Sequence, residues 1–158
     1  MSPHLIARQR PARRAVLSTI PSDSHTWNLL YLQLLMEENG WSVTNLGACV
    51  PVATLTDETR SQPPDMIVIS TVNGHGAQEG LDVIAALRAE PVLSDVPVVL
   101  GGKIDVSETR QRADVDGLLA AGYDAVLIGD EAGPDFLDLI GQPTALAAAG
   151  QYAAGPYA

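Results

Sequence analysis

The chain has 158 residues, room for one compact domain but not also for a substrate-binding barrel, which alone needs roughly 250 residues. Hydrophobic residues make up 46% and charged residues 18%, a globular balance that excludes a disordered chain. The net charge of -10 would repel a phosphate backbone, so we expect no nucleic-acid partner.

Basic residues cluster at the start of the chain. Without Arg8, Arg10, Arg13 and Arg14, the remaining sequence carries five basic and nineteen acidic residues. We interpret residues 1–14 as a solvated basic tail. The chain shows no apolar signal segment and no run of about eighteen apolar residues, so we expect a cytoplasmic protein with no membrane partner.

From residue 15 onward, short apolar runs alternate with longer amphipathic stretches, a rhythm typical of parallel strands joined by helices. The first strand is predicted over residues 15–20, before Pro21. A polar loop leads into a helix over about residues 26–39, which Gly40 ends. We expect this helix to be buried on a broad face, because its apolar positions are Leu29, Leu30, Leu32, Leu34, Leu35 and Met36.

The same rhythm continues through the rest of the chain. Further strands are predicted over about residues 41–46, 66–72, 96–100 and 125–128. Helices are predicted over about residues 51–61, 78–90, 107–121 and 134–140. The run 66–72 (MIVISTV) is the most hydrophobic and β-branched, which indicates a central strand. The domain is therefore predicted over residues 15–141, followed by a loose tail over 142–158.

These βα units predict an α/β fold, a flavodoxin-like (Rossmann-like) doubly wound five-stranded parallel sheet with strand order 2-1-3-4-5. In such sheets ligands bind beyond the carboxyl ends of the strands, near the switch between strands 1 and 3. The polar and glycine-rich segments 21–26, 47–51, 70–76 and 101–106 fall at that edge. This placement predicts a ligand site without naming the ligand.

Three features at that edge carry possible chemistry. An imidazole such as His25 can ligate a metal through one nitrogen while the other donates to a carboxylate such as Asp23. Alternatively, Asp23 caps the next helix and His25 is a surface residue. The Ser70 hydroxyl could bind a ring nitrogen of a ligand or the backbone of its own strand. The pair Gly101-Gly102 would let a bulky group approach the backbone, although many βα turns also need glycine.

Together these residues resemble the motif series D-x-H-x-x-G, S-x-L and G-G of cobalamin-binding domains that hold the cofactor with its own base displaced. The matches are Asp23 and His25, then Ser70, then Gly101 and Gly102. The resemblance spans roughly residues 14–140. Within the family, the stretches 40–47, 70–76 and 99–102 are similar to the small subunit of glutamate mutase (methylaspartate mutase).

The resemblance implies a role for each matching residue. His25 would be the lower axial ligand of cobalt, with Asp23 hydrogen-bonded behind it, and Ser70 would contact the displaced base. The nucleotide tail would enter a slot lined by Val72, Gly74, Gly101 and Gly102. The rest of the expected cofactor site is Ser22, Ser24, Thr26 and Asn28. Two positions depart from the motif: Asn28 replaces its glycine and Val72 its leucine.

The resemblance also implies a function. The chain would be the small subunit of a hetero-oligomeric, adenosylcobalamin-dependent carbon-skeleton mutase (an isomerase) that converts L-glutamate to threo-3-methylaspartate. A larger TIM-barrel subunit would bind the amino-acid substrate, so no catalytic residue is expected on this chain and it would be inactive alone. Two alternatives stay open: a degenerate or regulatory B12 module that binds a partner, and a corrinoid methyl-transfer carrier.

Two other proteins with this topology are excluded by sequence. A receiver domain needs an aspartate at the end of strand 3 and a lysine at the end of strand 5, where this chain has Ser70-Thr71 and Ile128-Gly129. A flavodoxin needs a hydroxyl-rich phosphate loop after strand 1, where Asp23 would repel the phosphate.

Overall fold

The structure, a computed structural model, describes residues 11–107 and 109–141 and the backbone of residues 152–154. The strands are β1 (Arg13–Ser18), β2 (Trp41–Asn45), β3 (Met66–Thr71), β4 (Val98–Gly102), β5 (Ala125–Leu127) and β6 (Tyr152–Ala154). The helices are α1 (Trp27–Glu38), α2 (Val52–Ser61), α3 (Gly76–Arg88), α4 (Gln111–Ala121) and α5 (Ala132–Gly141), with a short 3-10 helix at Pro91–Leu93.

The strands form one parallel sheet in the order β2-β1-β3-β4-β5-β6. The predicted order of the first five strands and the flavodoxin-like fold are confirmed. The prediction of a loose tail is corrected at β6, which pairs with β5. The sequence of β6 gave no indication of a strand. Its pairing depends on the free backbone hydrogen-bonding groups of β5, which almost any extended segment can use. The other residues of 142–158 lie outside the described part of the chain.

Strand β3 is the centre of the sheet and is buried along its whole length. Because successive side chains of a strand point to opposite faces, Met66 and Val68 join one core cluster while Ile67 and Ile69 join the other. Helices α1 and α5 contribute Leu29, Met36, Phe136, Leu139 and Ile140 to the first cluster. The same alternation places Ser70 on the face covered by α1 and α5.

Helix α1 differs from its predicted burial. Leu29 and Met36 are buried, but Leu30 and Leu34 are 56% and 53% exposed, so the expectation of a broad buried face was wrong. Their solvent-facing stripe also includes Trp27 and Tyr31. The physical reason is that α1 packs on only one face of one sheet. Because its leucines lie on all sides of the helix, two of the five, Leu30 and Leu34, stay exposed.

The amino-terminal boundary also differs. Strand β1 begins at Arg13 rather than at residue 15, so the last two arginines of the predicted tail belong to the sheet. The Arg13 guanidinium lies over the ring of Trp41, 5.3 Å from its centroid. The Arg14 side chain donates to Gln62 Oε1, 3.2 Å away. The earlier residues of the predicted tail, 1–10, lie outside the described part of the chain.

Strand β4 extends through the glycine pair instead of ending before it. Gly101 pairs with Ser70 and Gly102 with Thr71, so the two predicted site segments lie side by side in the sheet. Helix α4 begins only at Gln111, after a longer loop than predicted. Within the described residues, no helix is long and apolar enough to cross a membrane.

Candidate functional site

The carboxylate of Asp23 joins the loop after β1 to the end of β3. Its Oδ2 accepts hydrogen bonds from Thr71 Oγ1 at 2.8 Å and from the backbone nitrogen of Val72 at 2.7 Å. Its Oδ1 accepts one from the backbone nitrogen of His25 at 3.0 Å and lies 2.6 Å from His25 Nδ1. Each oxygen of this fully buried carboxylate thus has two hydrogen-bond partners, as burial of a charge requires.

The hydrogen bonds keep this carboxyl group ionised. Burial alone would raise the pKa of Asp23, but the bonds from the backbone nitrogens of His25 and Val72 and from the side chains of His25 and Thr71 lower it to about 2. In a neutral imidazole facing this acceptor, the proton sits on Nδ1, which leaves the lone pair of Nε2 available. The His25 side chain is 47% exposed, so that nitrogen can be reached from solvent.

This arrangement excludes the alternative that Asp23 is only a helix cap. The cap residue of α1 is Thr26, whose side chain makes no capping hydrogen bond. The Asp23 carboxylate turns instead toward β3, and its backbone oxygen accepts from the Cys49 nitrogen at 2.8 Å. The loops after β1, β2 and β3 therefore meet at Asp23.

The neighbouring residue Ser22 stabilises this loop through hydrogen bonds. Ser22 Oγ accepts from Asn73 Nδ2 at 2.9 Å, and the Ser22 nitrogen donates to Glu79 Oε2 at 3.1 Å. Ser24 and Thr26 are exposed beside His25. Sequence analysis missed Asn73, although an Asn-Gly pair at a strand end is a turn signal that could have identified it.

A cavity of about 280 Å³ opens beside this loop, between α1 and α5 and over the ends of β3, β4 and β5. Its volume is near the lower end of the roughly 300–1,000 Å³ typical of ligand pockets. The predicted residues that line it are Asn28, Ser70, Val72, Gly101 and Gly102. Its other walls are mostly apolar: Trp27, Tyr31, Leu32, Leu35, Val68, Ile69, Val99, Leu127, Ala132, Gly133 and Phe136.

Two polar side chains meet in this cavity. Asn28 Nδ2 donates to Ser70 Oγ at 2.8 Å, and both residues are at least nine-tenths buried. Asn28 Oδ1 is buried and has no hydrogen-bond partner among the described residues. The Asn28 that replaces the motif glycine therefore bonds to the serine predicted to contact a ligand. The contact joins residues 42 positions apart and could not be read from local sequence.

The three predicted glycines have different roles. Gly74 is not among the residues that line the cavity, and a Cβ there would meet the Val106 side chain, so its place in the ligand slot stays a prediction. Gly102 lines the cavity, but its φ of +110° and its closeness to the Thr71 carbonyl oxygen also require glycine. At Gly101 a Cβ would lie 3.1 Å from the Leu127 oxygen. The glycine pair is thus needed by the sheet itself.

Helix α5 supplies a wall of the cavity that sequence analysis missed. Ala132, Gly133 and Phe136 come from its first turns, directly after β5. The small residues at a strand's carboxyl end were the available signal, since they let a ligand approach the helix. His75, by contrast, is exposed at the start of α3 and does not line the cavity.

The donor set fits a corrinoid held with its own base displaced. A single imidazole backed by a carboxylate supplies one ligand, which suits a metal whose equatorial ligands come from a macrocycle. The adjacent cavity has apolar and aromatic walls and an unpartnered buried oxygen, which suits a planar heterocyclic base. Residues 70–72 connect the two parts of the site, because Asp23, which holds His25, bonds to Thr71 and Val72, while Ser70 and Val72 line the cavity.

Comparison with known families and curated proteins agrees with this reading. A family model described as a B12 binding domain matches residues 13–128. The glutamate mutase sigma subunit of Halobacterium salinarum is 29% identical over 111 residues, which cover 70% of this chain and 73% of that subunit. The HTH-type transcriptional repressor CarA of Myxococcus xanthus is 37% identical over 90 residues, but these are 56% of this chain and only 30% of the repressor.

Among solved structures, a novel cobalamin-binding protein from Desulfitobacterium hafniense superposes with a TM-score of 0.62 and 25% identity. The match covers 82% of this chain and 59% of that protein. The chain thus spans less than two thirds of the length of both this protein and the repressor.

Substitution of Asp23 tests the loop junction without any ligand. Asp23→Asn should lower the free energy of unfolding by about 2 kcal/mol at neutral pH, because hydrogen bonds to the charged carboxylate are lost and an amide group faces donors. Since the folded state lowers the pKa, the carboxylate's contribution is complete above 3.8 and is lost as the pH falls through about 2. Urea unfolding of both proteins at several pH values measures this. Equal stability at neutral pH would contradict it.

Proposed function

Because the chain belongs to the B12-binding domain family, we propose that it holds a corrinoid with His25 on the metal, as the small subunit of an adenosylcobalamin-dependent mutase. The observation that carries this proposal is the 2.6 Å contact between His25 Nδ1 and the buried, ionised Asp23. It orients the imidazole and leaves Nε2 as the ligand atom. We propose that the cavity between α1 and α5 holds the displaced base.

In this proposal the chain supplies positioning, not a reacting side chain. Asp23 keeps the proton on Nδ1 and so leaves the lone pair of Nε2 for the metal. Thr71 and the backbone nitrogen of Val72 fix the carboxylate, so the imidazole is aimed from the rigid end of β3. The apolar walls exclude water from the base. When bound, adenosylcobalamin supplies the radical chemistry of the rearrangement.

The mutase assignment is supported by how much of this chain resembles each relative. The match to the glutamate mutase sigma subunit extends over 70% of this chain, and the match to the repressor CarA over 56%. We propose L-glutamate to threo-3-methylaspartate as the reaction. A separate TIM-barrel subunit would bind the amino acid and cover the upper face of the corrin. The setting we propose is cytoplasmic.

A regulatory B12 module is the second candidate, and the identity with CarA favours it. The exposed apolar stripe of α1 (Trp27, Leu30, Tyr31 and Leu34) is compatible with a partner in either case, so it does not separate the two. Activity in the presence of a large subunit does separate them.

Replacing His25 tests the proposed metal ligand. Titration of the full chain with hydroxocobalamin, followed by visible spectroscopy, should show a displaced-base spectrum for the wild type. His25→Ala should remove that spectrum and weaken affinity by at least about tenfold. His75→Ala is the matched control, because this exposed histidine lies outside the cavity, and it should bind like the wild type. Identical titrations of wild type and His25→Ala would refute the ligand assignment.

Reconstitution tests the mutase assignment. The chain loaded with adenosylcobalamin should convert L-glutamate to 3-methylaspartate only after a glutamate mutase large subunit from the same organism is added, as followed by proton nuclear magnetic resonance. The isolated chain should show no turnover, because in this proposal it only positions the cofactor and the large subunit binds the substrate. Corrinoid binding without turnover in the mixture would instead favour the regulatory module, and turnover by the isolated chain would contradict a subunit role.

A further inference from the structure

The amide of Asn28 has one bonded and one unbonded end inside the cavity. Its Nδ2 donates to Ser70 Oγ at 2.8 Å, while Oδ1 is buried without a partner. The residue is only 5% exposed, so Oδ1 has little access to solvent. A buried carbonyl oxygen without a donor is unfavourable, and native structures rarely leave one unsatisfied. The arrangement points to a ligand that donates a hydrogen bond to Asn28.

A donor stands beside this acceptor. Ser70 Oγ accepts from Asn28, which leaves the single hydroxyl proton of Ser70 free to be donated. The cavity therefore presents an acceptor, Asn28 Oδ1, next to a donor, Ser70 Oγ. The complementary ligand carries a donor and an acceptor on adjacent atoms of one planar edge. Adenine does so through its exocyclic amino group, which can donate to Asn28 Oδ1, and a neighbouring ring nitrogen, which can accept from Ser70 Oγ.

A dimethylbenzimidazole base offers only half of this pattern. Its free ring nitrogen can accept from Ser70, but once attached to its ribose it has no N–H for Asn28 Oδ1. The aromatic walls Trp27, Tyr31 and Phe136 can contact either planar base, so they favour neither. The Asn28–Ser70 pair is therefore the feature that distinguishes the two bases.

We propose that Asn28 is a specificity residue that makes this cavity select corrinoids whose lower base is an aminopurine over those with dimethylbenzimidazole. This inference rests on the proposed function, because it requires the displaced base of a corrinoid to lie between α1 and α5. It also gives a physical reason for a side chain at the motif glycine: Asn28 takes space from the cavity but adds a recognition group.

Paired titrations of the full chain test the proposal. Hydroxo-adeninylcobamide and hydroxocobalamin, which differ in the lower base, are titrated separately by calorimetry and visible spectroscopy. The wild type should bind the adeninyl form about tenfold more tightly or better, because cobalamin leaves the Asn28 oxygen unpaired. Both complexes should show the same displaced-base spectrum, which places the difference in the cavity rather than at the metal.

Two variants separate the effect of the polar Asn28 amide from the effect of cavity volume. Asn28→Leu keeps a similar volume and a good helix former but removes the amide, so it should abolish the preference and tighten cobalamin binding. Leu35→Ala, on the same wall of the cavity, changes volume without changing polarity and should weaken both ligands while the preference remains. Thermal melts verify folding. If Asn28→Leu does not fold, Asn28→Gly, which restores the motif residue and also removes the amide, replaces it, because only a comparison of variants cancels the different cost of displacing each base.

The outcomes distinguish the role of Asn28 in base selection from the proposed corrinoid-binding function. Binding of neither corrinoid would overturn both. Binding of cobalamin as tightly as the adeninyl form, or more tightly, would overturn the role of Asn28 and leave the corrinoid-binding function standing. A preference for the adeninyl form that persists in Asn28→Leu would also overturn it, since the amide would not then be its source.

Discussion

The buried carboxylate of Asp23 ties together two segments that are distant in sequence, the loop after β1 and the end of β3. Removing a charge from water is favourable only when its lone pairs are satisfied, and here Thr71, Val72 and His25 satisfy them. The same bonds therefore close the loop after β1 onto the end of β3 and set the tautomer of the imidazole. The position of the loop after β1 and the orientation of the His25 imidazole therefore both follow from the need to satisfy the buried Asp23 charge.

The cavity depends on this junction as well. Val72 is held by Asp23 on one side, and Ser70, two residues earlier, faces the space between α1 and α5. Because strand side chains alternate, Thr71 can serve the carboxylate while Ser70 and Val72 line the cavity. A proposed metal ligand and a proposed base pocket are thus set by three consecutive residues at the end of the central strand and directly after it, and that strand is buried along its whole length.

Sequence reasoning recovered the features that depend on local pattern. The short apolar runs and the helices between them predicted the strand order through β5, and the resemblance to cobalamin-binding domains implied the Asp23–His25 pair, whose atoms lie 2.6 Å apart. It did not recover features set by tertiary packing. Gly74 carries the same turn chemistry whether it faces a ligand or Val106, and the Asn28–Ser70 bond depends on how α1 lies across the sheet. Nor does leucine content reveal that one sheet face covers only one side of α1.

The central claim is that a nitrogen of His25 binds the metal of a corrinoid, and electron paramagnetic resonance tests it most directly. The Co(II) form of the cofactor is bound to protein labelled with nitrogen-15 only at histidine. If His25 is the ligand, the hyperfine splitting from the axial nitrogen should change to the nitrogen-15 pattern on labelling, and this change should vanish in His25→Ala. Splitting that stays the same in labelled and unlabelled protein would mean that the cofactor keeps its own base on the metal, and it would contradict the account.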